Sequence, residues 1–415
     1  DFEVCRQADL FIGNSVSSFS ALLESQRLRQ GLPTFHYNYG DIPLASVMPT
    51  SPLTPASTPP RALKWVFAMA FGARVDEAFI DMARVAVLSA VQWTTLEPYC
   101  VLYAAPSLDP QGADTVRRFV KWLQFHGVVV LRHTPKWAAA IAGVFKRGLN
   151  AKNVQFSPLY ASEEALVSTF LRLDLPVLGF SDRYLLYTDA DVLFTGNVDL
   201  QALQAVAGGR LPKYILMGSE SREMGPAYGN AGVMLYNLRG MRATYPSFLD
   251  FVFSPENLDR GLHFGRWGPG DQGAYNAFYQ EGLGMDVVPY AEFNWRPYWK
   301  RSETGFRRQF EPSIVHFHGP KPRDYEAYLG LKGEVLNGLF GALLGRCDRG
   351  DPVDSCRAWN DRWRRTLGRF RARPWARYRR LESNRPYHIA GVEAEVAPVA
   401  HWAAAAERAA EAPSR

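Results

Sequence analysis

Between residues 63 and 345, short apolar segments alternate with amphipathic ones, and this alternation limits the chain to a layered α/β architecture. KWVFAMAF, YCVLYAA and GVVVLRH read as strands, while VDEAFIDMARVAVLSAVQW, TVRRFVKWLQFHG and EEALVSTFLRLDLPVL carry apolar residues at helical spacing. Strands and helices in this order predict a mostly parallel sheet flanked by helices, with ligands bound along the C-terminal strand ends. A further strand, in DRYLLYTDADVLF, runs directly into an acidic turn.

The flanking segments differ in character. Residues 1–45 read as a helix-strand-helix fragment, with ADLFIGN as the strand and SSFSALLESQRLRQG as the second helix. Residues 46–62 are rich in Pro, Ser and Thr and predict an extended linker. Residues 346–415 read as a basic, Ala-rich tail, helical or disordered. Much of the excess behind the net charge of +6 lies between Arg357 and Arg380. Such a run could meet nucleic acid or an anionic membrane, but no nucleic-acid motif accompanies it, so a solvated tail is expected and no nucleic-acid partner. A hydrophobic content of 47% excludes wholesale disorder. No stretch is long and apolar enough for a transmembrane helix. The start, DFEVCRQADL, reads as a cut from a longer polypeptide. Cys347 and Cys356 flank CDRGDPVDSC, which either a disulfide closes or two free thiols border.

Four segments carry chemistry. In LLYTDADVLFTG an apolar strand delivers Asp189 and Asp191, whose carboxylates can both reach one hard divalent cation, Mg²⁺ or Mn²⁺. In SIVHFHGPKPRDY, His316 and His318 fall on the same strand face, and His316, with His318 as rival, could complete the cation's shell. Gly319 allows close backbone approach, and Lys321 offers a point charge suited to phosphate. In YGNAGVMLYNLRGM, Asn230, Ala231 and Gly232 either make an ordinary turn or let a sugar or its diphosphate rest against the backbone. In RWGPGDQGAYNAFY, Asp271 reads as a helix N-cap or, with Gln272, as a group facing a reacting sugar. Arg172, on the helix before the acidic strand, could reach phosphates or pair with an aspartate.

In this order and spacing, the Arg172 helix, TDADVLF, NAGVMLYNL, GDQGAYNAF and VHFHGPKP resemble glycosyltransferase family 8, the glycogenin-like and lipopolysaccharide-galactosyltransferase-like enzymes. The resemblance spans roughly residues 63–330. It implies a GT-A fold and a UDP-sugar donor, with Mn²⁺ (or Mg²⁺) held by Asp189, Asp191 and His316. It also implies hexosyl transfer with retention to a glycan or glycoprotein hydroxyl. By the same resemblance, Asn230, Ala231, Gly232, Asp271 and Gln272 line the donor sugar and reaction centre. Gly319 and Lys321 fall on the diphosphate turn, Arg172 near the donor, and Phe71 at the uracil-binding start. The turn is one residue shorter between Gly319 and Lys321 than the glycogenin-type turn.

Residues 1–40 separately resemble the C-terminal end of an O-fucosyltransferase-like, GT-B-type domain, with Asn14, Ser15, Ser17 and Ser18 on its phosphate-contacting turn. An upstream glycosyltransferase domain of the same polypeptide is therefore an expected partner, and the Golgi or secretory-pathway lumen the expected compartment. A sugar-nucleotide pyrophosphorylase would carry a Gly-rich basic loop after the first strand, and AMAFGARVDE has one Gly and one Arg there. The alternative kept open is a catalytically degenerate module that binds sugar nucleotides or glycans.

Overall fold

The computed structural model describes residues 11–13, 34–36 and 62–371, apart from 74, 156, 220–227, 286, 289–290, 300–310, 331–343 and 345–355. The chain forms two compact units, Asp1–Arg61 and Ala62–Arg415. In the first, strand β1 (Phe11–Gly13) lies in the expected ADLFIGN segment and pairs in parallel with β2 (Thr34–His36), a strand not expected from the sequence. The helices expected there, the Ser-rich turn and most of the linker lie outside the described residues.

In the second unit, the strands are β3 (Lys64–Phe71), β4 (Glu97–Ala104), β5 (Val129–Arg132), β6 (Tyr184–Thr188), β7 (Val192–Phe194), β8 (Ile215–Ser219), β9 (Gly229–Asn237), β10 (Val287–Val288) and β11 (Ile314–His316). Helices α1 (Glu77–Trp93), α2 (Pro110–Phe125), α3 (Ala138–Lys146), α4 (Glu163–Phe170) and α5 (Leu200–Val206) occupy the first part. Helices α6 (Leu238–Val252), α7 (Pro255–Asp259), α8 (Gly270–Tyr275), α9 (Pro322–Gly330) and α10 (Cys356–Arg371) follow. Asp76, Asp109, Ser162, Asp199, Asn237 and Ser254 each cap the helix that follows, their side chains accepting from a backbone N–H of its first turn.

The main sheet has the order β10-β8-β9-β6-β3-β4-β5. Its strands run one way except β9, which is antiparallel to both neighbours. This is the mostly parallel α/β class expected from the sequence. Period-2 alternation sends Val66 and Ala68 of β3 into a core with α3, α4, α6 and α8. Trp65, Phe67, Met69 and Phe71 enter a second core with α1, α2 and α5 on the opposite face. Both faces are covered, so β3 reads as a continuous apolar run rather than an alternating one.

Two elements depart from expectation. The helix expected over EEALVSTFLRLDLPVL ends at Phe170 and tightens into a 3-10 turn, Leu171–Val177. Pro176 lacks the N–H that a further α-helical turn would need. In the tail, α10 is a packed element rather than a solvated one. Its Trp359, Trp363 and Leu367 join Met82, Val85, Leu193, Trp295, Val315 and Phe317 in a separate core. Arg357, Arg365 and Arg369 remain exposed on its outer side. Cys356 at its start is disulfide-bonded. No helix among the described residues is long and apolar enough to cross a membrane.

Candidate metal centre and donor site

Strand β6 ends at Thr188, and the chain passes through Asp189, Ala190 and Asp191 before starting β7. The turn is fixed by backbone bonds on both sides: Asp189 N–H donates to Gly232 O at 2.8 Å, and Phe317 N–H donates to Asp191 O at 2.9 Å. Strand β7 pairs antiparallel with β11, setting His316 opposite Val192. The site therefore joins two strand systems, with the acids on one and the histidine on the other.

Asp189, Asp191 and His316 offer ligand atoms that all lie within 4.8 Å of one another. His316 Nε2 is 3.4 Å from Asp191 Oδ1 and 3.7 Å from Asp189 Oδ2. His316 Nε2 and Asp191 Oδ1 are buried and have no hydrogen-bond partner among the described residues. Buried polar atoms normally have one, and two acceptors pointed at each other are what a cation would satisfy. One imidazole and two carboxylates could hold a divalent cation. His318 stands beside His316, with ring centroids 5.4 Å apart, but does not belong to this triad.

Positive charge surrounds the acids. Lys321 Nζ donates to Asp191 Oδ2 and to Phe317 O, the latter at 2.8 Å. Burial alone would raise the Asp191 pKa, but the Lys321 ammonium beside it holds it well below the ordinary carboxylate range. Arg172 is 4% exposed and directs its donors three ways. Nη2 donates to Asp189 Oδ1 at 2.7 Å, Nη1 to Ala231 O at 2.6 Å, and Nε to Thr169 O at 2.9 Å. Nε also lies 3.1 Å from Asp271 Oδ2. The guanidinium sits over the Tyr187 ring, 4.5 Å from its centroid. Of the two readings open for Arg172, pairing with an aspartate is the arrangement found.

Asp271 lies inside the first turn of α8 and not at its cap, a position held by Pro269 with no side-chain capping bond. Burial pushes its pKa up to about 6, with Arg172 opposing and Asp189 reinforcing the shift. Gln272 Oε1 accepts from Asn230 Nδ2 at 2.9 Å and from Ala231 N–H at 3.0 Å. Asn276 clamps the start of β9, accepting from Gly229 N–H and donating to Gly229 O, each at 2.8 Å. Because β9 is the reversed strand, its first residues lie at the edge where β6 ends. That is how Asn230, Ala231 and Gly232 reach the acids.

Gly232 is required by what faces it. A Cβ there would overlap His316 Cε1 and stand 2.7 Å from Nε2 and 2.8 Å from Nδ1. His316 is 0% exposed and cannot swing into solvent. Gly232→Ala is thus expected to weaken divalent-cation binding by at least about tenfold and to lower stability by about 1–3 kcal/mol. Calorimetric titration and denaturant unfolding read the two effects; unchanged affinity would mean the ring can shift aside.

Gly319 takes φ 92°, a left-handed conformation that explains a glycine ahead of Pro320 in the HGPKP turn. Phe71 is 2% exposed and packs edge-on against Phe119, which leaves its ring no face for a base. Asn294 was missed by sequence reasoning. It is 1% exposed and contacts both His316 and Asn230.

No protein-family model matches the chain, and no curated protein sequence matches it. Among solved structures it is similar to mouse xyloside xylosyltransferase 1 in its apo form, with 16% identity over 62% of this chain and 98% of that one, TM-score 0.40. It is similar also to the galactosyltransferase LgtC in complex with donor and acceptor sugar analogs, with 17% identity over 76% of this chain and 99% of that one, TM-score 0.45. The glycosyltransferase GlyE of Streptococcus pneumoniae gives 17% identity over 69% of this chain and 63% of that one, TM-score 0.40. Likenesses this distant assign no activity.

Proposed function

We propose that this protein is a metal-dependent glycosyltransferase of family 8 that moves a hexosyl group from a UDP-sugar to a hydroxyl of a glycan or glycoprotein. The observation that carries the reading is the convergence of Asp189, Asp191 and His316 at the C-terminal edge of the sheet, with two buried ligand atoms lacking hydrogen-bond partners among the described residues. Held by Asp189, Asp191 and His316, a Mn²⁺ or Mg²⁺ ion would supply Lewis acidity and offset the charge of the leaving nucleotide.

The chain's own groups account for the rest of the reading. Lys321, 28% exposed at its side chain, stands where its ammonium can pass from Asp191 to a diphosphate oxygen and stabilise the leaving group. Arg172 orients Asp189 by donating from Nη2 to its Oδ1. Gln272, with its oxygen held by Asn230 and Ala231, presents its amide NH₂ as the end left for a sugar hydroxyl. Asp271, the first candidate for a base in an inverting reaction, is 5% exposed and engaged by Arg172. We therefore read transfer as retaining, without a carboxylate base at the acceptor. The disulfide at Cys356 supports an oxidising compartment such as the Golgi lumen.

A panel of UDP- and GDP-sugars assayed for hydrolysis with and without Mn²⁺ tests the reading. Turnover of at least one UDP-sugar that stops on chelation is expected. Failure to bind or hydrolyse any nucleotide sugar sinks it, and binding without turnover would mean a module that keeps the site but not the chemistry.

A further inference from the structure

Gln272 and His316 end a chain of side-chain amides in which the backbone fixes the direction of every hydrogen bond. A peptide N–H can only donate, and Ala231 N–H meets Gln272 Oε1 at 3.0 Å. The oxygen end of Gln272 therefore faces Asn230, whose Nδ2 is the donor at 2.9 Å. Gly232 N–H makes the same demand independently, since at 3.0 Å it needs Asn230 Oδ1 as acceptor. With its oxygen so placed, Asn230 accepts from Asn294 Nδ2 at 2.9 Å. Asn294 Oδ1 is then the atom facing His316 Nδ1 at 2.9 Å. An amide oxygen only accepts, so the neutral imidazole carries its proton on Nδ1. Its Nε2 is left as a bare lone pair aimed at the two aspartates.

We propose that Asn294 is a positioning residue that transmits this amide polarity to His316, holding the Nδ1–H tautomer so that Nε2 stays available to ligate a divalent cation. The purpose rests on the metal reading above; the hydrogen-bond geometry does not. Asn294 and Asn230 are each 1% exposed and His316 0%, so bulk water does not stand in for a lost partner. Without Asn294 the buried Nδ1–H loses its acceptor, and the favourable course is for the proton to reside on Nε2 and point at Asp191. A histidine that donates from Nε2 cannot ligate through it. The choice of amide over carboxylate has a physical reason too. An aspartate would accept from Nδ1 but set a second oxygen against Asn230 Oδ1, acceptor against acceptor, and add a third negative charge beside two carboxylates.

The test reads the tautomer directly. In metal-free protein carrying ¹⁵N-labelled histidine, at a pH that keeps imidazoles neutral, the ring nitrogen shifts of His316 are assigned by their loss in His316→Gln. Wild type is expected to show Nδ1–H. Asn294→Leu is expected to move to Nε2–H and to bind Mg²⁺ about 10–100-fold more weakly by calorimetry. Asn294→Asp, which still accepts from Nδ1, is expected to keep Nδ1–H, an outcome that loss of packing alone would not predict. An Nε2–H tautomer in wild type overturns the inference, as does an Asn294→Leu protein with unchanged tautomer and Mg²⁺ affinity. Should the leucine variant not fold, the wild-type and Asn294→Asp spectra decide. Nδ1–H in wild type without any Mg²⁺ binding would uphold the hold of Asn294 on the tautomer and refute the metal reading instead.

Discussion

Asp191→Asn is expected to lower Mn²⁺-dependent turnover by on the order of 10³-fold and to remove the Mn²⁺-dependent part of nucleotide binding. A metal's charge stabilisation amounts to several kcal/mol, and about 4 kcal/mol corresponds to three decades in rate. The substitution keeps size and shape but removes the charge, and the amide NH₂ would stand against Lys321 or His316, the two groups nearest the carboxylate. Steady-state hydrolysis and calorimetry of nucleotide with and without Mn²⁺ provide the readouts, with circular dichroism to confirm folding. Unchanged Mn²⁺-dependent binding in this variant would remove Asp191 from the site.

The largest loss of stability is expected at Arg172. Breaking a buried ion pair by removing one partner costs about 3–5 kcal/mol, because the other charge stays buried and unpaired. Arg172→Met would leave Asp271 in that position, while Asp189, 28% exposed at its side chain, would keep the Tyr187 hydroxyl as a donor. Lysine should rescue little, since one ammonium cannot reproduce donors spread over Thr169 O, Ala231 O and two carboxylates. The loss should also depend on pH. Asp271 already titrates above its ordinary value, at about 6, and without the guanidinium its pKa would climb further. A carboxyl that holds its proton longer in the folded than in the unfolded state makes stability fall as pH rises through that interval. Urea unfolding of Arg172→Met should therefore show a smaller deficit in mild acid than above neutrality. A deficit independent of pH would mean that lost packing over Tyr187, and not charge, is responsible.

The parts of this molecule that were legible in the sequence are those whose signal is local. KWVFAMAF announces β3 because both faces of the strand are buried, and the acids follow β6 with no intervening loop. Where a local signal was overridden, the cause can be named. Helical spacing continues through LRLDLPVL, but from Leu171 the chain runs as the 3-10 turn that carries Arg172, and Pro176 within it cannot donate to a further α-helical bond. In the tail the arginines interrupt the apolar pattern of Trp359, Trp363 and Leu367, which recur every fourth residue as a buried stripe. Asn294 left no trace because its partners lie 22 and 64 positions away, and an asparagine in FNW looks like any turn residue. Lys321 was recognised as a charge at the site, but not that its ammonium would rest on Asp191. That pairing depends on how β11 docks on β7.

The antiparallel pairing of β7 with β11 also bears on the order in which a newly made chain can acquire its centre. Lys321 and Asp191 are 130 positions apart, so Asp191 leaves the ribosome long before its counter-charge exists. Bringing such distant segments together is slow relative to helix formation or hairpin closure. During that interval two carboxylates would lie next to unsealed sheet, and the apolar side of the ribbon would await Trp359 and Trp363 from still further along. A chain arrested before α10 would present that apolar surface to chaperones and proteases, so intracellular survival of truncated products should drop sharply once the break falls ahead of Trp359.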